Sequence, residues 1–301
     1  MSSDTRDFLG YGANPPDPRW PGGARVAVSF VVNVEEGAEL SIIDGDERNE
    51  AVYEVTDEVK GGPDPCRDTH FEYGTRVGYH RIMRVLDAHG APSTLNACGR
   101  AIQRSPWLAR DAVARGHEVA CHGWRWERHA GMEEAHERAT IARAVAAIRD
   151  ACGTAPLGWH TRSAPSANTR RLLLDHGGFL YDSDAYSDDL PFFTRVGETR
   201  HLVLPYSFDT NDMHFHQGSQ RFTTAAHFTE YCVDAYDALW EEGADHPRML
   251  SIGLHLRMIG RAGRIAGLDR LLRHMRDKGG AWFARRDSIA RHWLSRFPEG
   301  A

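Results

Sequence analysis

Apolar and polar positions along the chain follow two alternating kinds of pattern. Residues 24–33 (ARVAVSFVVN) form a nearly continuous run of β-branched and apolar side chains, which is typical of a strand buried on both faces in a parallel sheet. After residue 77, short apolar runs alternate with longer segments in which apolar residues recur at helical spacing. The pattern predicts strands at 24–33, 92–97, 118–121, 156–159, 179–182, 202–205 and 249–254, and helices at 78–89, 107–115, 132–150, 169–176, 225–242 and 268–278.

Two stretches lack such a pattern. Residues 14–23 (NPPDPRWPGG) contain four prolines, so we expect residues 1–24 to form an N-terminal arm laid over the surface. Residues 38–73 are polar and contain Gly and Pro, which predicts a long loop that shapes a pocket or an interface. Because strands and helices then alternate without a linker, residues 25–301 are predicted to form one α/β domain, either a doubly wound sheet or a barrel.

Titratable side chains come directly after several of the predicted strands. In a (β/α) barrel, the residues that follow the strands form the rim of the active site. Five separate strand ends that carry such groups therefore predict an enzyme. The groups are Glu35 with Glu36, His122, Arg162, Asp182 with Asp184, and His255.

Composition and charge exclude several classes of protein. A chain of 301 residues with 41% hydrophobic and 26% charged residues can bury a full core, which argues against disorder. The formal net charge of −6 provides no positive field for nucleic acid or an anionic membrane. The N-terminus lacks the features of a signal peptide and no apolar run is long enough to span a membrane, so we expect a cytoplasmic protein. Five widely spaced cysteines predict reduced thiols.

The residue types at the strand ends suit the hydrolysis of an amide. Glu35 and Glu36 are neighbours on a strand end, so their side chains point in opposite directions and only one can face the barrel centre. A buried carboxylate beside an arginine can stay ionised and accept a proton from water. His255 could protonate a leaving nitrogen, while Arg257 and Arg261 could bind a carboxylate or polarise a carbonyl. Solvated acids, a hydrogen-bonded structural histidine and surface ion pairs are the alternative interpretations.

The case for a metal site is weaker. A zinc hydrolase typically needs two imidazoles and a carboxylate, and His122 and His129 could share a helical face. The residue four positions after His122 is Trp126, however, and it cannot bind a metal. His214 and His216 could share one face of a strand, which is a second and less favoured candidate site.

Five segments, in chain order, resemble the motifs of a known family. NVEEG, CHGWRW, RSAP, FLYDSD and LSIGLH are similar to the motifs of the polysaccharide deacetylase superfamily, carbohydrate esterase family four. Longer blocks, such as WPGGARVAVSFVVNVEEG and LSIGLHLRMIGR, resemble the branch that contains the bacterial metal-independent allantoinase. The resemblance covers residues 7–293. It implies a distorted (β/α) barrel, a hydrolase of C–N bonds other than peptide bonds, and a homo-oligomer, either a dimer or a tetramer.

The resemblance also implies roles for individual residues. Glu35 takes the place of the family's catalytic base and Arg162 that of the arginine that orients it. His255 takes the place of the catalytic acid, and Asp184 that of the aspartate that tunes it. The residues expected to bind the substrate are Glu36, His122, Trp126, Trp159, Arg257 and Arg261.

Departures from the family pattern affect the metal and the substrate. Trp126 stands where the family has its second metal-binding histidine, so we expect no cofactor, or Zn²⁺ held weakly by Glu36 and His122. The segment GWHTRSAPSANTRR and Leu256 differ from the allantoinase pattern next to the pocket. A related cyclic ureide, an imide, an amide or an N-acetylated small molecule is therefore as plausible a substrate as allantoin.

The sequence thus predicts an enzyme that hydrolyses an amide bond in a small polar substrate. Two alternatives stay open. One is a metal-dependent deacetylase of an N-acetylated sugar or polysaccharide, against which the missing secretion signal argues. The other is a catalytically inactive barrel that acts as a binding protein.

Overall fold

The computed structural model describes residues 6–51, 57, 59–216 and 221–298. Within these residues the chain forms nine strands and nine α-helices. The strands are β1 (Val26–Val34), β2 (Ser93–Ala97), β3 (Glu118–Cys121), β4 (Gly158–Trp159), β5 (Tyr181–Asp182), β6 (Phe192–Val196), β7 (Thr199–Val203), β8 (Arg248–His255) and β9 (Ala281–Phe283). The helices are α1 (Pro65–Tyr73), α2 (Tyr79–Ala88), α3 (Gly99–Arg104), α4 (Pro106–Ala114), α5 (Glu134–Cys152), α6 (Thr169–His176), α7 (Ala225–Glu242), α8 (Ile265–Lys278) and α9 (Arg286–Arg296).

The strands form one sheet, curved into a distorted (β/α) barrel. Its order is β6-β7-β5-β4-β3-β2-β1-β8, with β9 paired to the first residues of β1. Every pairing is parallel except that of β6 with β7. All nine residues of β1 are buried, as its continuous apolar sequence predicts for a strand covered on both faces. Since the carboxyl ends of parallel strands lie together, the residues after β1, β3, β4, β5 and β8 meet at one mouth.

The barrel is closed beside β8 by a segment that is not a regular strand. Asn211 forms an isolated parallel bridge with Gly253, and the Gly253 amide donates to the Thr210 carbonyl at 2.9 Å. The fully buried guanidinium of Arg286 joins the two sides, since it donates to Ser251 Oγ at 2.8 Å and to the Pro205 carbonyl at 2.9 Å. These bonds bring residues 206–212 to the mouth of the barrel.

The prediction of a loop throughout residues 38–73 is wrong for its last part, which contains α1. Asp64 caps this helix by accepting from the Arg67 amide at 3.1 Å, and Pro65 occupies its first turn. Its two buried residues are Arg67 and Phe71. Because a charged residue occupies a core position, the helix shows no apolar period. Residues 52–56 and 58 of the predicted loop lie outside the described residues.

The predicted N-terminal arm is attached to the barrel by a buried tryptophan. Trp20 is 2% exposed, donates from Nε1 to the Arg248 carbonyl at 2.9 Å, and packs against Trp282 and Trp293. The first five residues lie outside the described residues. The division into an arm and a single domain stays a prediction. No helix within the described ranges is long and apolar enough to cross a membrane.

Candidate active site

A pocket of about 440 Å³ opens at the mouth of the barrel, where the predicted titratable residues were expected to meet. Glu35, His122 and His255 lie in its floor although they are distant in sequence. The prediction that these strand ends converge is therefore confirmed by the geometry. The other residues that line the pocket are Asn33, Arg48, Trp126, Arg128, His160, Arg162, Ser163, Ala164, Tyr206, Phe208, Asn211 and Met213.

Glu35 follows β1 and is the carboxylate at the centre of the pocket. It is 1% exposed, and its Oε1 lies 3.5 Å from His255 Nε2 and 3.7 Å from His122 Nε2. Its Oε2 accepts from Arg257 NH1 at 2.8 Å. Burial alone would raise the pKa of Glu35, but the charges of Arg257 and His255 and the bonds to the two imidazoles hold it well below the ordinary value. Glu35 is therefore ionised at neutral pH.

His255, the last residue of β8, is held by an aspartate from the closing segment. Asp212 Oδ1 lies 2.6 Å from His255 Nδ1, and Asp212 Oδ2 accepts from the backbone amides of His255 at 2.7 Å and Ile259 at 3.0 Å. Burial alone would lower the pKa of His255, but the negative charges of Glu35 and Asp212 raise it to about 9. At neutral pH His255 is therefore an imidazolium next to an ionised carboxylate.

Asp184 lies too far back to serve as the partner of His255, so that prediction is wrong. Asp184 accepts from the Thr161 amide and from Thr161 Oγ1, each at 2.7 Å, and lies 3.2 Å from His160 Nδ1. The ring of His160 stacks on that of His122 at 5.1 Å, and its carbonyl oxygen lies 2.6 Å from His122 Nδ1. Nδ1–H donates to this carbonyl, so the other ring nitrogen of His122, Nε2, faces Glu35.

Arg162 lines the pocket, but the predicted contact with Glu35 is wrong. Its guanidinium forms a two-pronged ion pair with Glu50, with NH2 to Oε1 at 3.0 Å and NH1 to Oε2 at 3.1 Å. It also stacks on Trp126 at 3.4 Å and donates to the carbonyl of that residue at 2.8 Å. Arg162 therefore shapes the pocket wall, while Arg257 orients Glu35.

Glu36 points away from the pocket, as the alternation of neighbouring side chains requires. Its Oε2 accepts from the Glu35 amide at 3.1 Å and its Oε1 lies 3.4 Å from Arg257 NH1. Burial, with a contribution from the charge of Glu35, raises the pKa of Glu36 to about 7. Glu36 therefore does not line this pocket but a separate cleft that Phe71 and Arg104 also line, and its role in binding the substrate stays a prediction.

The side chains around Glu36 and His122 do not suit the divalent metal ion that the resemblance to carbohydrate esterases implies. Arg257 places a fixed positive charge between Glu35 and Glu36, where a cation would have to bind. Glu36 and His122 line different cavities, and the indole of Trp126 offers no lone pair to a metal. In the described part of the chain, no group of three or more His, Cys, Asp or Glu side chains is placed to share a metal ion.

Three further residues that were expected to bind the substrate lie outside the lining of this pocket. Trp159 is fully buried in the core and donates from Nε1 to Thr161 Oγ1 at 2.9 Å. Arg257 is buried behind Glu35, with its guanidinium over the ring of Phe71 at 4.6 Å. Arg261 stacks on Tyr73 at 3.7 Å. These three side chains therefore do not face the space in which a substrate would bind.

Sequence reasoning missed Asp212, Asn33, Tyr206 and Asn211. All except Asn33 come from the closing segment, residues 206–212, whose sequence YSFDTND has neither strand alternation nor helical period. One signal was available, since this acidic and amide-rich segment follows the predicted strand 202–205 at the same end as the other titratable residues. Asn33 is two residues before Glu35 and so shares its face of β1.

Comparisons with known proteins agree with this geometry. The profile of the polysaccharide deacetylase family matches residues 63–177. A curated Schizosaccharomyces pombe protein named as a polysaccharide deacetylase is 35% identical over 317 residues, which cover 98% of each chain. The chain belongs to the polysaccharide deacetylase family. The resemblance seen in the motifs is thereby confirmed.

Two solved structures are similar to this polysaccharide deacetylase family member along nearly its whole length. One is a Pseudomonas aeruginosa PAO1 protein named as a polysaccharide deacetylase, with 44% identity and a TM-score of 0.93, covering 98% of this chain and 99% of its own. The other is Puue allantoinase, with 44% identity, a TM-score of 0.94 and the same coverage. The barrel fold predicted from the sequence is confirmed. The protein is a hydrolase of C–N bonds other than peptide bonds.

Proposed function

We propose that this protein hydrolyses an amide bond in a small polar molecule, with allantoin, related cyclic ureides and cyclic imides as the substrate class. The observation that carries the proposal is the pair of Glu35 and His255, whose facing oxygen and nitrogen lie 3.5 Å apart in the floor of the pocket. One member is a carboxylate and the other an imidazolium at neutral pH. A base and an acid thus lie next to each other in the floor of the pocket, where a carbonyl group and a water molecule could meet them.

The chemistry follows from these two protonation states. Glu35 takes a proton from water, and the resulting hydroxide attacks the carbonyl carbon of the amide. As the tetrahedral intermediate collapses, the C–N bond breaks and His255 gives its proton to the leaving nitrogen. The product is the ring-opened molecule, with a new carboxylic acid and a new N–H on the released ureide or amide nitrogen, and transfer of the Glu35 proton to His255 restores the starting state.

Several neighbours hold this pair in position without taking part in proton transfer. Arg257 keeps Glu35 ionised and oriented, and Asp212 fixes the ring of His255 through Nδ1. His122 places Nε2 3.7 Å from Glu35 Oε1, on the side away from Arg257, and so borders the position of the attacking water. Asp184 acts further back by orienting His160, which in turn orients His122.

The size and charge of the pocket support a small substrate. A volume of about 440 Å³ lies in the range of pockets for small molecules. Arg48, Arg128 and Arg162 line its walls and mouth. Opening a cyclic ureide or imide creates a carboxylate, and guanidinium groups favour such a product. The similarity to Puue allantoinase supports the same class.

The test is turnover of allantoin, hydantoin and succinimide, followed by detection of the carboxylate product. We expect Glu35→Gln and His255→Ala each to lower kcat/KM at least 100-fold while circular dichroism stays native. Near-normal rates in both variants would refute these roles. N-acetylglucosamine oligomers, assayed with and without added Zn²⁺ and a chelator, test the metal-dependent alternative. Chelator-sensitive release of acetate, without ring opening, would favour that alternative.

A further inference from the structure

Tyr206 lies in the closing segment and carries a buried hydroxyl group. It is 7% exposed and lines the cavity together with Glu35 and His255. Its ring packs on that of His160, with 4.6 Å between the centroids. Neither its sequence neighbours nor the catalytic steps described above explain why a hydroxyl should be buried here.

The phenol oxygen accepts hydrogen bonds from two buried amides. Asn33 Nδ2 donates to Tyr206 Oη at 3.0 Å, and Asn211 Nδ2 donates to it at 3.3 Å. The backbone sets the orientation of both amides. Asn33 Nδ2 also donates to the Leu254 carbonyl at 3.2 Å, and Asn211 Oδ1 accepts from the Met213 amide at 2.9 Å. Both side chains must therefore offer N–H groups, not oxygens, to the phenol.

This arrangement determines what the hydroxyl can still do. Within the described residues, the hydrogen bonds of Tyr206 Oη are the two that it accepts. Two donors occupy the acceptor capacity of a hydroxyl, so its own hydrogen is directed away from both amides. Burial raises the pKa of Tyr206, which keeps the phenol protonated and a donor. The remaining donor is thus available to a molecule in the pocket.

The backbone around the hydroxyl preserves this geometry next to the catalytic pair. Asn33 pairs in register with His255 across β1 and β8. Gly253 lies two residues before His255 on the same face of β8, and a Cβ there would come within 2.4 Å of both Tyr206 Oη and Asn211 Nδ2. Glycine at this position leaves the room that the phenol and the amide occupy.

We propose that Tyr206 is a catalytic residue whose hydroxyl donates a hydrogen bond to the carbonyl oxygen under attack, and stabilises the negative charge that develops on it. The inference rests on the proposed amide hydrolysis. It assigns the electrophilic role, for which the sequence pointed to Arg257 or Arg261, to a neutral donor. A preorganised donor of this kind needs no rearrangement as charge develops.

The experiment compares Tyr206→Phe with a matched control, Tyr186→Phe. Tyr186 belongs to the same aromatic group, stacks on Phe208 at 3.8 Å and does not line the pocket. Both proteins are assayed on the cyclic ureide turned over fastest and on its analogue with sulfur at the reacting carbonyl, for example hydantoin and 4-thiohydantoin. Sulfur accepts hydrogen bonds weakly, so the donor contributes little to reaction of the analogue.

On the oxygen substrate we expect Tyr206→Phe to lower kcat about 100-fold, as removal of an oxyanion donor does, with KM changed less than threefold. On the sulfur analogue the loss should shrink to less than tenfold. Tyr186→Phe should stay within threefold of the native protein on both. The ratio of the two losses does not depend on the fraction of folded enzyme, so it remains informative if Tyr206→Phe is unstable.

Equal losses on the two substrates would overturn the role of Tyr206 and leave the proposed hydrolysis standing. If the native protein opened no ring, the proposed hydrolysis would fail instead. Calorimetric binding of hydantoin and 4-thiohydantoin to Glu35→Gln, with and without Tyr206→Phe, would then test the donor separately. If the hydroxyl donates to the carbonyl, Tyr206→Phe should weaken the binding of hydantoin at least fivefold more than that of 4-thiohydantoin. Equal weakening for both compounds, or no measurable binding of either, would overturn the role of Tyr206.

Discussion

Replacing Asp212 by Asn tests whether the negative charge on this residue keeps His255 protonated. The Asp212 carboxylate meets three donors, namely His255 Nδ1–H and the backbone amides of His255 and Ile259. An asparagine has a single acceptor oxygen and an NH₂ group in the same space. If the oxygen serves the two backbone amides, the NH₂ group faces Nδ1, and the ring must lose its Nδ1 proton to accept from it. The opposite orientation leaves buried backbone donors facing an NH₂ group, which costs about 1–3 kcal/mol.

Both orientations disfavour the imidazolium, so the pKa of His255 should fall. Loss of an adjacent opposite charge shifts a buried group by about 1–3 pKa units, each equal to about 1.4 kcal/mol. From the native value of about 9, a shift of about two units gives about 7. The protonated fraction at pH 8 then drops from about 90% to about 10%, whereas at pH 6 it stays at or above about 90% in both proteins.

The assay is the pH profile of kcat/KM, together with an NMR titration of the His255 ring. The native profile should lose activity as pH rises through about 9, because His255 must be protonated to act as the acid. In Asp212→Asn this alkaline limb should move to lower pH by about two units. The loss of kcat/KM relative to the native protein should therefore grow about tenfold between pH 6 and pH 8. Asp209→Asn makes the same change on an exposed side chain of the same segment and should leave the limb in place. A limb that stays at its native pH in Asp212→Asn would refute the reasoning.

Three further predictions concern buried charges and close contacts on both sides of Glu35 and Glu36. Arg257→Gln removes the cation that keeps the general base ionised and should move the acidic limb of kcat/KM to higher pH by about 1–3 units, whereas Arg162→Gln should leave that limb unchanged; equal shifts in both would contradict the assignment. Because the pKa of Glu36 is raised to about 7 from an ordinary 4.5, the folded state binds more protons than the unfolded state between these values, and native stability decreases as pH rises through this window. The free energy of unfolding of Glu36→Gln, measured with denaturant, should therefore rise relative to that of the native protein by up to about 3 kcal/mol between pH 4.5 and pH 8. A difference in unfolding free energy that does not change with pH would contradict this. A methyl at Gly74 would lie 2.3 Å from the Glu36 carboxylate, so Gly74→Ala should lower the free energy of unfolding by about 1–3 kcal/mol. Gly62→Ala, whose methyl meets nothing closer than 4.0 Å, should not.

Sequence patterns were sufficient where local rules govern the chain. The apolar runs that became β1 and β8, and the helices with strong amphipathic period, follow directly from burial on a parallel sheet. The weaker elements were missed for identifiable reasons. In α1 a buried arginine replaces an apolar residue, and β9 is only three residues long. Short elements of this kind are stabilised by the barrel around them.

Pairing within the site depended on contacts that no spacing reveals. Asp184 was the expected partner of His255 because it follows a strand, yet Asp212 reaches that ring from a segment held beside β8 by the bridge of Asn211 with Gly253. The expected pairing of Arg162 with Glu35 failed for the same reason, since Glu50 from a distant loop takes the guanidinium. Which charged side chains form a pair depends on their positions in space, and contacts between distant segments of the chain determine those positions.

The sequence by itself determined the barrel, the family and the strand ends from which Glu35, His122 and His255 would come. The strand ends follow from periodicity and from the fact that parallel strands end on one side of the sheet, whereas the family and the choice of a barrel follow from the resemblance of the motifs. Only the tertiary structure decided which acid tunes His255, which arginine holds Glu35 and where the hydroxyl of Tyr206 points. Those choices depend on distances of a few ångströms between segments far apart in the chain, because hydrogen bonds and ion pairs weaken steeply beyond that range.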